Sequence, residues 1–500
     1  MDFLDPKKRR AYHIRLMVGY VLMAIVIGLA TYLLTTAATG YGFNAKTGEV
    51  IENGLLFVNS NPSGATIYLN GQSKNTTTPA RLILPGGNYS LKLSKTGYRD
   101  WSRSFTLNGQ SVARYVYPFL FPTKPVITSL KTYDSMPGLV TQSPNQRWLL
   151  VEDNTASAAT PTFDEYDTTT LDKTTPTVAS LSIPANVLTN YSASSVLTMV
   201  EWSTDNANVL LKHDYDGGSE FILFNRAHPD QSINVNTTFN LNPSQVNFYN
   251  KSADQLYIYN QTDQSLSLAD VKAQKVGQPI LKHVLYFKPY GKNLINYITD
   301  DNQPAGQVAA KIWDSGKTYN LNQFPAGSTY MIDAAQFQGH FYYADGSDKS
   351  DRIIIFKDPE ADIKDPAIGK ALPTIALDIP GATKLKFSNN AAFIGVESGQ
   401  NFAVYDIETQ TPYQYTLSDP LNSVMDWMDG DRWIGDSSGQ VLVMDYDGIN
   451  KHAITATSMP IGAYFSSNYD HLLTVAPSDD QTAFLLKDVD MRAGVDLPKK

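Results

Sequence analysis

A seven-residue phrase recurs along the last three quarters of this chain: an aromatic or strand-end residue, a cluster of turn formers, then a fresh apolar run. Its clearest copies are Trp202-Ser203 leading to Val209-Leu210-Leu211, Phe387-Ser388 leading to Phe393-Ile394, Trp427-Met428 leading to Trp433-Ile434, and Phe465-Ser466 leading to Leu472-Leu473. Weaker copies begin at Gln142-Ser143, Tyr249-Asn250 and Phe287-Lys288, and an eighth, near Ala335, is poor. Repetition at a fixed period means an array of like units, each too small to bury its apolar face alone.

A second marker follows each phrase after about 17 to 26 residues, an apolar run that ends in an acidic or polar turn. These markers fall at Tyr166-Asp167, Phe224-Asn225, Ala269-Asp270, Trp313-Asp314, Lys357-Asp358, Tyr405-Asp406, Met444-Asp445 and Lys487-Asp488. Two landmarks per unit of about 47 residues match the scale of a four-stranded propeller blade.

Charged residues make up only 18% of the 500-residue chain, while Thr, Ser, Asn, Gln and Tyr are abundant and the apolar runs are short. That mix favours an all-β fold, and the length favours more than one domain. A net charge of -9 argues against a nucleic-acid partner, which would leave a basic stripe. The chain has no cysteine, so its stability rests on core burial and strand pairing.

The basic residues that stand out are at the N-terminus: Lys7, Lys8, Arg9, Arg10 and Arg15 precede an uncharged, mostly apolar stretch from Leu16 to Leu34. As a helix it would be about 28 Å long, close to the thickness of a hydrocarbon core. The division expected is a basic cytoplasmic tail at 1–15, a transmembrane helix at 16–36 in the lipid bilayer, and a linker at 37–54. The positive-inside bias then puts the N-terminus in the cytoplasm and the rest outside the cell membrane, as a single-pass protein. Thr36-Ala37-Ala38-Thr39 offers the alternative of a cleaved signal peptide, but the apolar run exceeds the usual signal core. The tail carries +3, leaving -12 for the remainder, which suits a soluble extracytoplasmic part.

Residues 55–121 read as a compact β unit. Leu55–Val58, Ala65–Leu69, Arg81–Leu84, Asn88–Leu93 and Ser102–Leu107 are strand runs, with Arg114–Tyr117 a further candidate, and Asn70-Gly71 is a hairpin turn. The pattern Ser60-Asn61-Pro62-Ser63-Gly64-Ala65, Ile67-Tyr68-Leu69-Asn70-Gly71, Thr78-Pro79, Leu84-Pro85-Gly86-Gly87-Asn88-Tyr89 and Lys95-Thr96-Gly97-Tyr98 with Trp101 resembles the PEGA domain. The acidic position of the name-giving tetrapeptide is Ser63 here. The resemblance implies a small β-sandwich-like module of prokaryotic envelope proteins and no catalytic residues. Tyr89, Tyr98 and Trp101 are expected as core aromatics.

Two prolines in Tyr117–Pro122 mark a boundary, and residues 123–500 are expected to form the array. Ser143-Pro144-Asn145-Gln146-Arg147-Trp148-Leu149-Leu150-Val151 and Val404-Tyr405-Asp406-Ile407-Glu408-Thr409 resemble WD40-like or Tol-B-like propeller repeats. Only Trp313-Asp314 is a strict Trp-Asp pair. Eight blades are expected, or seven if the Ala335 copy is false, with a pair of β-sandwiches as runner-up. Val126–Leu130 is expected to complete the last blade and pin the ring, and Trp202, Phe387, Trp427 and Phe465 to pack between blades. Spacing from 38 residues (Tyr249 to Phe287) to 60 (Gln142 to Trp202) implies insertions, for which Asn154–Thr162 and Asp345–Asp351 are candidates.

No stretch announces chemistry. Gly435-Asp436-Ser437-Ser438-Gly439 fits a serine nucleophile elbow, yet lies between two strand runs where that motif needs a following helix. The histidines (His13, His213, His228, His283, His340, His452, His471) lack metal-binding spacing. Acidic clusters at Asp214–Gly218, Asp345–Asp348 and Asp445–Gly448 lack the final Glu of a calcium loop and read as turns. Asn-x-Ser/Thr sequons at Asn75, Asn88, Asn190, Asn236, Asn250 and Asn260 read as composition, and Phe341, Tyr342 and Tyr343 as a blade strand.

The expectation is therefore a membrane-anchored binding or scaffold protein of a prokaryotic cell envelope, its propeller presenting a face to a protein or polysaccharide partner. Catalytic, cofactor and metal residues are read as none, and ligand contacts are not identified. The alternative is a propeller-type hydrolase of envelope glycans or peptides.

Overall fold

The computed structural model describes residues 6–38, 41–43, 50–154, 160–173, 175–192 and 194–498. They divide into two compact units: the first comprises Met1–Lys124 with Arg492–Leu497, the second Pro125–Met491 with Pro498–Lys500.

In the first unit one helix, Pro6–Ala38, contains a segment from Arg9 to Tyr32 that is long and apolar enough to cross a membrane. Its apolar side chains are exposed on every face, Met17 and Leu29 among them. A helix of that kind suits a membrane anchor or a signal sequence. Of the signal-peptide alternative at Thr36–Thr39 only Thr39 lies outside the described residues, as do 39–40 and 44–49 of the 37–54 linker.

Two four-stranded sheets follow. One pairs Val50–Val58 with Tyr41–Phe43 and Ala80–Pro85 on an antiparallel path and with Val112–Tyr115 in parallel. The other runs in the order Gln72–Thr77, Thr66–Leu69, Gly87–Ser94, Trp101–Leu107. Alternate residues face inward because side chains alternate across a strand. Leu56 and Val58 from the first sheet thus meet Ile67, Leu69, Leu91 and Leu93 from the second. Asn70 and Gly71 both adopt positive φ, 51° and 78°, as the hairpin turn requires. The Thr78 hydroxyl accepts the Ala65 N–H at 3.0 Å and bonds the Ser60 hydroxyl at 2.6 Å, which ties the two turn motifs together.

Trp101 and Tyr98 are buried in this core, as expected. Tyr89 is not: it is half-buried, stacked on Phe105 at 5.7 Å, and its hydroxyl donates to the Pro85 carbonyl at 2.8 Å. It packs against the edge of the core cluster. The segment Arg492–Leu497 completes the unit. Ala493 enters the core and donates its N–H to the Tyr98 hydroxyl at 2.7 Å, while Asp496 accepts from that hydroxyl at 2.9 Å and pairs with Lys95 at 2.7 Å.

Among its described residues the second unit contains eight four-stranded antiparallel sheets in sequence order, each a simple meander except the last. Their first strands are Val140–Gln142, Val196–Trp202, Gln245–Tyr249, Tyr286–Tyr290, Tyr330–Phe337, Lys384–Phe387, Asp426–Trp427 and Tyr464–Phe465. The poor copy near Ala335 is thus a genuine first strand. Most copies of the phrase end a first strand and turn into the second, while Phe287-Lys288 and Ala335 lie inside theirs, and every second marker lies at or near the end of a third strand. Both landmarks therefore occupy the same rim of the unit.

The phrase is a hydrogen-bonding device. Ser143, Ser388 and Ser466 each donate a hydroxyl to the Asn two residues on, at 2.7 Å, and accept the N–H of the residue five on, at 2.9, 3.1 and 3.0 Å. Ser203 does the same with Asp205 and Asn208. Such side chains mimic a backbone turn, which is why Ser and Asn recur there. The acidic second marker binds the start of the neighbouring second strand: Asp167 pairs with Arg147 at 2.7 Å, Asp488 with His471 at 2.9 Å, and Asp358 accepts the Phe341 N–H at 2.8 Å.

Second and third strands are buried along most of their length, fourth strands alternate with exposed residues, and first strands of adjacent sheets touch. First strands are therefore innermost. Val126–Tyr133 pairs with Phe484–Asp490 as the outer strand of the eighth sheet, so the beginning of the unit closes its end. Hydrogen bonds cross from the eighth sheet to the first, Tyr464 to the Val140 carbonyl at 3.1 Å and Gln142 to the Phe465 carbonyl at 2.8 Å. The sheets form a closed propeller. Trp202 and Trp427 bridge seams as expected, their indole N–H groups donating to Thr141 Oγ1 at 2.9 Å and the Lys386 carbonyl at 3.1 Å. Phe387 lies in the cluster joining the fifth and sixth sheets, and Phe465 is buried.

Asn154–Thr162 links the second and third strands of the first sheet, with 155–159 outside the described residues. Asp345–Asp351 is not an insertion. Asp345 to Ser347 belong to the strand His340–Ser347, which turns at once into Arg352–Lys357. Extra length in the fifth sheet comes instead from the helix Pro359–Lys364.

Candidate ligand-binding surface

The innermost strands carry a ring of seam contacts made by side chains one residue before the phrase or within it. The Phe248 N–H donates to Glu201 across the second seam, and the Tyr249 hydroxyl to Asn293 at 3.0 Å across the third. Lys288 pairs with Asp333 at 2.7 Å, Asp333 accepts the Phe387 N–H at 3.2 Å, and Lys386 pairs with Asp426 at 2.6 Å. Between the seventh and eighth sheets the contact lies off the innermost strands: Thr457, just after the fourth strand of the seventh sheet, bonds Thr474 in the second strand of the eighth at 2.7 Å.

The densest charge lies between the fifth and seventh sheets. Burial raises the Asp426 carboxyl, but Lys386 and Lys384 outweigh it and hold the group below its ordinary range. Lys384 is lowered, first by burial and then by Lys386 and Lys288, against the opposing pull of Asp426 and Glu397. Glu397, buried and accepting the Met425 N–H at 2.9 Å, is pushed up to about 7. The cluster is paired throughout, so it holds neighbouring strands in register.

Beside it a cavity of about 610 Å³ opens where the first-strand turns of the sixth, seventh, eighth and first sheets meet. Lys386, Asn389, Gln142 and Gln146 supply polar groups, and Trp427 and Tyr469 supply aromatic ones. Trp427 is held by a stack on Trp433 at 4.0 Å. A concave site of this size with rigid aromatic walls and a few polar groups can hold a small ligand or the end of a larger one.

The residues singled out in the sequence do not converge there. Ser437 donates to the Pro420 carbonyl at 2.8 Å, and Ser438 and Gly439, with φ of 54° and 74°, make the turn between Arg432–Ser437 and Gln440–Asp445. The serine pattern is a hairpin. His213 is buried against Glu220 at 2.9 Å, His340 faces Asp358 at 2.5 Å and His471 faces Asp488. Among the described residues no group of His, Asp and Glu is arranged to hold a metal ion. Asp214–Gly218 and Asp445–Gly448 contain turns at Gly217 and Gly448, both at positive φ.

The charged seam residues escaped sequence reasoning, although a signal existed. The position before the phrase's aromatic residue is polar in Glu201, Lys386, Asp426 and Tyr464. In an otherwise apolar innermost strand that column marks a ring of inter-blade contacts.

Residues 53–117 match the PEGA domain family. Among curated proteins nothing matches the chain. Solved structures similar to it include the C-terminal WD40 domain of Sif2 (10% identity, 74% of this chain and 99% of that one, TM-score 0.46) and the Dos1 propeller (11%, 74% and 96%, 0.43). An oligogalacturonate lyase from Vibrio parahaemolyticus is also similar (11%, 74% and 99%, 0.37).

Proposed function

We propose that this chain is a non-catalytic binding protein of a prokaryotic cell envelope, anchored by its N-terminal helix with the basic flank in the cytoplasm. The PEGA domain acts as spacer, and the propeller presents its phrase-bearing rim to an envelope protein or polysaccharide. The observation that carries this reading is the cavity beside Lys386 and Trp427, a preformed recess in a ring whose seams are bonded all the way round. A rigid recess loses little entropy on binding. The exposed apolar helix supports the anchor, and a PEGA domain between helix and propeller supports display away from the bilayer.

Capture from detergent-solubilised membranes tests the reading. Wild-type chain should retain a partner that Asn389→Arg, which fills the mouth, releases. A chain that retains the same material with either residue, or that hydrolyses envelope glycans or peptides, overturns it.

A further inference from the structure

A second recess lies on the same rim, between the fourth and fifth sheets, with a volume of about 480 Å³. Its walls are the turn Gly291–Asn293, the turn at Asp314-Ser315, the start of the strand His340–Ser347, and Glu360 and Lys364 from the helix inserted into the fifth sheet. Two aromatic rings, Tyr290 and Phe341, are partly buried there and meet edge to face at 5.9 Å and 84°, forming a corner. Phe341 stacks at 6.3 Å on Tyr343, which is fixed beneath it by a hydrogen bond from its hydroxyl to Glu360 at 2.8 Å.

The polar groups around that corner are mixed in kind and balanced in charge. Asp314 and Glu360 are acceptors, Lys292 and Lys364 are donors, and the Asn293 carbonyl oxygen accepts the Tyr249 hydroxyl, which leaves the amide's NH₂ as a donor. Two carboxylates against two ammoniums give no net field to draw a polyanion or a polycation. The recess is made of turns and strand starts, so a peptide finds no unpaired strand edge to extend. Aromatic faces flanked by closely spaced acceptors and donors suit a ligand with apolar C–H faces and a rim of hydroxyls.

We propose that this inter-blade recess binds a neutral oligosaccharide, with Tyr290 and Phe341 as the stacking platform and Asp314, Glu360 and Asn293 as hydroxyl partners. The assignment deepens the polysaccharide half of the proposed function and rests on it for biological sense, but its site is separate from the cavity beside Lys386 and Trp427.

The test is calorimetric titration of the full chain in detergent with cellotetraose, chitotetraose, maltotetraose and mannotetraose, and with tetragalacturonate as the acidic probe. At least one neutral tetrasaccharide should bind, about tenfold more weakly to Phe341→Ala and to Asp314→Asn. Melting temperature, measured alongside, should stay unchanged in Asp314→Asn. Asn389→Arg should leave saccharide binding intact, so loss of partner capture alone removes only the reading of the cavity beside Lys386 and Trp427. Absence of binding by every neutral probe, tighter binding of tetragalacturonate, or affinity indifferent to Phe341→Ala and Asp314→Asn would overturn the proposal.

Discussion

Asp345 offers a quantitative test of the propeller core. It lies in the second strand of the fifth sheet at 1% exposure; one carboxyl oxygen accepts the Asn322 amide at 2.8 Å and the other has no hydrogen-bond partner. Burial pushes its pKa up to about 7, with the Asn322 bond opposing. In the unfolded chain an aspartate titrates near 4. Between those values the folded protein keeps the proton and the unfolded chain releases it, so stability falls as pH rises through the window. At 1.36 kcal/mol per pH unit the loss from this one group is about 3 kcal/mol between pH 4.5 and pH 8. Asp345→Asn keeps the acceptor for Asn322 and does not titrate. The difference in unfolding free energy, variant minus wild type, should therefore grow by about 3 kcal/mol over that range and level off above pH 7.5. Other raised carboxyls, Glu152 and Glu397, titrate in both chains and cancel. Urea unfolding of the full chain in detergent, followed by tryptophan fluorescence at several pH values, measures it. A difference that stays constant within about 0.5 kcal/mol would refute the assignment of Asp345 as a buried, proton-holding group.

Further substitutions probe other contacts. Gly395→Ala would place a Cβ 2.3 Å from Trp433 and 2.8 Å from Trp427, two stacked rings with no room to retreat, and should destabilise the propeller by about 1–3 kcal/mol in thermal or urea unfolding. Ser388→Ala removes the turn device between the first two strands of the sixth sheet and should cost about 1 kcal/mol by the same measurement. Tyr98→Phe leaves the Ala493 N–H and Asp496 without their shared partner. Limited proteolysis should then release residues after Met491 several-fold faster than from wild type.

What was legible in the sequence was what is local. The phrase could be read because Ser388 and Asn390 act on a turn only a few residues long, and the alternation of the PEGA strands because Leu56 and Val58 are two apart. Even the closing strand at Val126 was legible, since a ring leaves one apolar strand to spare at its start. The seam contacts are another matter. Lys386 meets Asp426 across 40 residues, and Asp333 meets the Phe387 N–H across 54, distances set by the length of a blade and no local rule. Tyr98 and Ala493 meet across 395 residues, with nothing periodic around Ala493 to announce it. The recess at Tyr290 and Phe341 depends on a short helix inserted in one sheet, so repetition could not reveal it.

The closed ring bears the most weight, and disulfide trapping tests it directly. Thr132 and Leu485 face each other across the strand pair that joins the beginning of the propeller to its eighth sheet. In a chain with no native cysteine, Thr132→Cys combined with Leu485→Cys should oxidise to an intramolecular bond in nearly every full-length molecule. A pair that stays reduced under oxidising conditions, or that bonds only between separate chains, would contradict closure.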